Sequence, residues 1–170
     1  MRSEAIIAAV IAAVFVLSVG SSPSAEGRTP PAPPSDACAL LDPAQVNAVL
    51  GVSVGAGQHI VPNSPSICGW AQSSDTAHKD KRVVVSIYVP IGSLSPADRF
   101  NNAKTPIKGI TKTPVGGVGD DAIFATTPGF GTGLIFKKGS SAFDVRVYGF
   151  SDDETKAKEK TLALDVIAKL

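Results

Sequence analysis

The chain is poor in the residues from which reactive sites are usually built. Its 170 residues include two cysteines, two histidines, two tyrosines, one tryptophan and one methionine, and aromatics make up 6%. Neither His59 nor His78 has ligand-type neighbours at metal-binding spacing, and Cys38 and Cys68 form no CxxC pair. The usual zinc patterns are thereby excluded. GxSxG and HExxH are absent, and the glycine cluster Gly116-Gly117-Val118-Gly119 lacks the dinucleotide spacing and precedes a strand. No cofactor is expected. Charge of one sign is missing too: past residue 35, fourteen Lys and Arg stand against thirteen Asp and Glu. Without a basic field or aromatics to stack bases, nucleic acid is excluded as a partner. The local cluster His78-Lys79-Asp80-Lys81-Arg82 reads as a solvated strand entry.

Long apolar runs are equally scarce, with one exception at the start. Ala5–Val19 is apolar except for Ser18, follows an arginine, and leads into Gly20-Ser21-Ser22-Pro23-Ser24-Ala25. The run is short of the ~20 residues a spanning helix needs, and its flanks match an export signal. Residues 1–21 therefore read as a signal peptide. Residues 22–35, with four prolines in Glu26–Ser35, read as an extended tether. Residues 36–170 are then one domain, secreted or extracytoplasmic in the cell envelope. In such a compartment an even cysteine count predicts a disulfide between Cys38 and Cys68.

Alternation locates the strands. Asp121–Thr126, Gly133–Lys138 and Ala142–Phe150 read as three successive antiparallel strands, the last two joined at Gly139-Ser140. In the third, Phe143, Val145 and Val147 alternate with Asp144, Arg146 and Tyr148, giving an apolar face and a wet one. Arg82–Pro90 is the strongest strand and is expected to be central, paired on both sides. Ile67–Gln72 puts Cys68 and Trp70 on one face, so the disulfide should lie beside the indole. His59–Val61 and Ile107–Pro114 are weaker strand candidates.

Three helix starts carry capping chemistry. Asp42-Pro43-Ala44-Gln45 predicts a helix over Pro43–Leu50, stopped by Gly51. Ser95-Pro96-Ala97-Asp98 opens a helix to about Lys104, with Phe100 and Ala103 inward. Ser151-Asp152-Asp153-Glu154 opens a terminal amphipathic helix whose inward stripe reads as Ala163, Val166, Ile167 and Leu170, with Leu162 beside it. The expected fold is α+β: an antiparallel sheet of five or six strands carrying a short N-terminal helix, a middle helix and a C-terminal amphipathic helix.

Two places invite a functional reading. The outer sheet face near Tyr88, Arg146 and Tyr148 offers aromatic and guanidinium groups for recognition. Asp120 and Asp121 could serve a hydrolase, although aspartates at a glycine-rich turn usually bind their own backbone. Gly129-Phe130-Gly131-Thr132-Gly133 reads as a hairpin loop.

The segments Cys38-Ala39-Leu40-Leu41-Asp42-Pro43-Ala44-Gln45-Val46, Leu50-Gly51-Val52 and Cys68-Gly69-Trp70 resemble a group of secreted actinobacterial lipoproteins with a DUF3558-type domain of unknown function. Gly117-Val118-Gly119-Asp120-Asp121-Ala122, the Lys138-Gly139 hairpin and the closing helix are similar as well. The resemblance implies an envelope-exposed α+β domain, loosely like PsbP sandwiches, with its cysteines bonded, and it implies no activity. The chain departs from that group in having no lipid-bearing cysteine after the apolar run, which favours free secretion or an uncleaved N-terminal anchor. On this reading the partner is a small ligand or an envelope protein, and the membrane is touched only through the N-terminal segment if that segment is uncleaved. The leading expectation is a non-enzymatic binding domain. The alternative is a secreted hydrolase using a serine or the carboxylates near Asp120 and Asp121.

Overall fold

A computed structural model describes residues 33–71 and 81–170. The proposed signal peptide, most of the tether, and His78 lie outside the described residues. Local chemistry forms the helices where the caps placed them. At α1 (Pro43–Leu50) the Asp42 carboxylate accepts the Gln45 N–H and the Gln45 side chain accepts the Asp42 N–H, both at 3.0 Å. Gly51 ends the helix at φ 68°, a conformation that costs glycine little. Ser95 and Asp98 make the same reciprocal box at α2 (Pro96–Lys104). At α3 (Asp152–Ile167) three acidic residues fill the first turn, where the helix dipole favours them.

Seven strands form one antiparallel sheet: β1 (Gln58–His59), β2 (Ile67–Ala71), β3 (Arg82–Ile87), β4 (Thr111–Pro114), β5 (Asp121–Thr127), β6 (Gly131–Lys138) and β7 (Ser141–Tyr148). The count exceeds the expected five or six because β1 and β4 are too short and too polar to show an alternating pattern. The order β1-β2-β3-β7-β6-β5-β4 joins two meanders along the β3–β7 ladder. β3 is therefore paired on both sides, with β2 and with β7.

Both faces of the sheet are covered, unequally. On the inner face α1 and α3 bury Val46, Leu50, Leu162, Ala163 and Val166 against Trp70, Val85, Phe136, Phe143 and Val145. Phe136 and Phe143 stack at 5.1 Å between centroids. The inward stripe of α3 runs further toward its start than its aliphatic residues suggest, and it includes Thr155 and Glu159. On the outer face α2 buries Phe100 against Ile123, Ile135 and Ala142.

Cys38 and Cys68 are disulfide-bonded, which ties the 3-10 turn Ala37–Ala39 to β2. The bond does lie beside the indole: a Cβ at Gly57 would fall 2.7 Å from both the Cys68 sulfur and the Trp70 ring. Closing a loop of 30 residues stabilises the fold by roughly 3–4 kcal/mol through the unfolded chain. Removing both thiols by Cys38→Ser/Cys68→Ser should lower the urea-unfolding free energy by about that amount. Gly57→Ala should cost about 1–3 kcal/mol by overpacking against the same two side chains. An unchanged urea midpoint in either variant would contradict this packing.

Candidate functional site

Because α2 covers only part of the outer face, the rest is carried by β3 and β7. Ladder pairing sets Arg82 opposite Tyr148, Val84 opposite Arg146 and Ser86 opposite Asp144. Successive outward positions of two adjacent strands thus bring charge and rings together. The Arg82 guanidinium lies over the Tyr148 ring at 4.1 Å, and Arg99 of α2 lies over the Tyr88 ring at 4.6 Å. Between these two stacks, Arg146 donates through Nε to Asp144 Oδ2 at 3.1 Å, with Nη2 at 3.1 Å from the same oxygen. Arg99 is held in place by donating to the Val89 carbonyl at 2.7 Å.

Tyr88, Arg146 and Tyr148, the residues predicted from alternation, do share this face. Each, however, already has a charged partner: Arg99, Asp144 and Arg82 respectively. The face is also drier than the pattern implied. The Asp144 side chain keeps 13% of its exposure, and its Oδ1 is buried without a hydrogen-bond partner. Burial pushes the Asp144 carboxyl up, against the pull of Arg146. Burial, followed by the Asp144 charge, pushes the Tyr88 phenol up to about 12, while Arg99 and Arg146 act the other way. Gly133 of β6 makes room for the ion pair, since a Cβ there would lie 3.1 Å from Arg146 Cγ and Nε and from Asp144 Oδ1.

Beside this row is a depression of about 450 Å³ over β1, β2 and β3, lined by Gln58, His59, Ile60, Gly69, Arg82 and Val84 among others. Ile60, 52% exposed, lies across Gly69, where a Cβ would approach its Cδ1 to 2.8 Å. The volume is within the range of small-molecule sites, ~300–1,000 Å³. Arg82 borders both the depression and the Tyr148 ring, so the two features are continuous.

Along its last residues β7 loses one neighbour. The β6–β7 ladder stops at Leu134↔Val145, while β6 continues with β5 to Thr127↔Gly131 and β7 continues with β3 to Arg82↔Tyr148. The sheet therefore forks between β6 and β7. In the fork, the Val147 N–H donates to Glu159 Oε1 of α3 at 3.1 Å. Glu159 is 0% exposed and its Oε2 has no partner. Burial is the main cause that pushes its carboxyl up to about 8; the Val147 N–H opposes it, Asp144 adds to it, and Arg146 and Lys156 oppose it. No feature of the sequence singled out Glu159, because it sits among Lys158 and Lys160 and counts as a surface residue in any composition-based reading.

The other candidates are engaged in holding turns. Asp120 Oδ2 accepts the Gly139 N–H at 2.7 Å and Oδ1 accepts from Lys138 at 3.1 Å; the N–H first, then Lys138, hold this carboxyl below its usual value. Asp121 accepts from Lys104 Nζ at 2.6 Å. His59 Nε2 and Asp36 Oδ1 are 2.9 Å apart. The sulfur nearest them is that of Cys38, which is disulfide-bonded and so no metal ligand. No protein-family model matches the chain, and no curated protein matches it.

The sign of the Glu159 effect on stability follows from linkage. Its value is 4.5 unfolded and about 8 folded, so the native state holds a proton that the unfolded state has lost between those values. Stability should therefore fall as pH rises from about 4.5 to 8 and level off above. Asp144, also raised, adds a slope of the same sign above its unfolded value of 3.8. Urea unfolding across this range should show the decline in the native chain and a shallower one in Glu159→Gln. Equal slopes in the two would contradict it.

Proposed function

We propose that the chain is an exported, non-enzymatic binding domain of the cell envelope, which takes a small ligand on the outer face of β3 and β7 and in the adjoining depression. The observation that carries this reading is the row Arg99–Tyr88, Asp144–Arg146 and Tyr148–Arg82 on one sheet face, continuous with the open depression over β1, β2 and β3. Guanidinium edges suit an anionic group, and Ile60, Val84 and the Gly69 backbone suit an apolar body, so the ligand is expected to be amphiphilic. The disulfide supports an extracytoplasmic setting. Among the described residues no helix is long and apolar enough to cross a membrane. In this proposal membrane contact is made only through the N-terminal segment, if that segment is uncleaved. Kinship with the secreted DUF3558-type lipoproteins belongs to the same proposal.

The hydrolase reading near Asp120 and Asp121 is the weaker one, because both carboxylates are occupied by the Gly139 N–H, Lys138 and Lys104. Titrating the isotope-labelled protein with octanoate, octyl phosphate and, as a neutral control, octanol separates these views. Shifts for the two anions should cluster at Arg82, Val84, Arg146 and Tyr148. Arg82→Ala/Tyr148→Ala should weaken their binding at least about tenfold, while Asp120→Asn/Asp121→Asn leaves it unchanged. Shifts scattered elsewhere, or ester hydrolysis lost with the two aspartates, would overturn the proposal.

A further inference from the structure

Glu159 has no role in ligand contact as described above, yet among the described residues it is a carboxyl with no exposed surface. Its surroundings hold one acid and two bases, and only one of those bases comes from the facing strand. The groups facing it are Asp144 and Arg146 from β7 and Lys156 from its own helix. The rest of α1, packed against α3, contributes no ionisable side chain, and the β6 lysines Lys137 and Lys138 sit at the strand's far end, opposite Ala142 and Ser141. Two buried carboxyls thus share one guanidinium, and Asp144 holds it.

We infer that the fork between β6 and β7 is a proton-binding site, closed by Glu159 as a neutral acid, whose proton controls the arrangement of the Asp144–Arg146 pair on the opposite face. In the neutral form Oε1 accepts the Val147 N–H, and Oε2, buried without a hydrogen-bond partner, carries the proton. The side chain thereby fills the place of the missing ladder contact. When Oε2 gives its proton to water, a carboxylate is left where only one side-chain cation, Arg146, lies on the neighbouring strand. A buried charge without a partner is expensive, so Arg146 is drawn from Asp144 toward the fork, or water enters. Either event changes the groups presented beside Tyr148 and Gly133. This deepens the binding reading of the outer face by adding its regulation: an anionic ligand on Arg146 and Arg82 would bind with proton uptake at Glu159.

The test needs no ligand, so its failure and that of the binding reading are distinguishable. Nuclear magnetic resonance of the full chain from pH 5 to 9 should show the Val147 amide, the Arg146 Nε–H and the Tyr148 ring moving together, with a midpoint near 8. Glu159→Gln, which keeps an acceptor and a donor in the fork, should leave all three flat. Should that variant fail to fold, Asp144→Asn decides: by freeing Arg146 for Glu159, it should lower the midpoint by about one unit or more. Absence of the shared transition in the native chain, its persistence in Glu159→Gln, or an unmoved midpoint in Asp144→Asn would each overturn the inference. Movement of the Val147 amide without Arg146 or Tyr148 would overturn the link to the outer face.

Discussion

A buried backbone N–H must have an acceptor, and at Val147 the sheet stops supplying one. β6 stays with β5, β7 stays with β3, and the two strands separate three residues before β7 ends. The acceptor comes from another layer, as the carboxyl of Glu159 on α3. That single bond lets the sheet fork without leaving a bare amide in the core.

The same geometry explains why the outer face carries charge at all. Arg146 and Asp144 are two residues apart on one strand, so they project side by side and pair with each other. Gly133 on the parting strand leaves the volume they occupy. Tyr88 and Tyr148 then extend the row toward Arg99 and Arg82 through cation–ring contacts. Three of these six side chains belong to β3, its extension or α2 and three to β7, so the face is assembled across the joint between the two meanders.

Much of this architecture was readable in the sequence because its causes are local. Capping boxes at Asp42 and Ser95 fix helix starts from residues three positions apart, and period-two alternation fixes the faces of β3 and β7. The disulfide followed from an even count of two cysteines and no metal-binding spacing. What could not be read depends on contacts between distant segments. β1 has two residues and β4 is mostly polar, so neither shows alternation, and both exist because a neighbour offers an edge. Asp144 was expected to be wet, but its carboxyl is largely buried, with Arg146 paired to it. Glu159 lies among lysines in sequence, yet it is fully buried and bonded to the Val147 N–H. Its burial is decided by where β6 turns away, which no window of residues encodes.

The strand order has a consequence for how the chain is made. β1, β2 and β3 complete their mutual pairing first, yet β3 leaves one edge bare until β7, more than fifty residues later, arrives beside it. A polypeptide emerging amino end first would present that valine-rich border, Val83 and Val85 included, to whatever else is nearby throughout the interval. The second meander, whose four strands each follow their neighbour directly, can zip on its own and then close the border in one docking step. Maturation of this molecule thus turns on a late seam, and a chaperone that shields exposed strand borders would act on the half that is synthesised first.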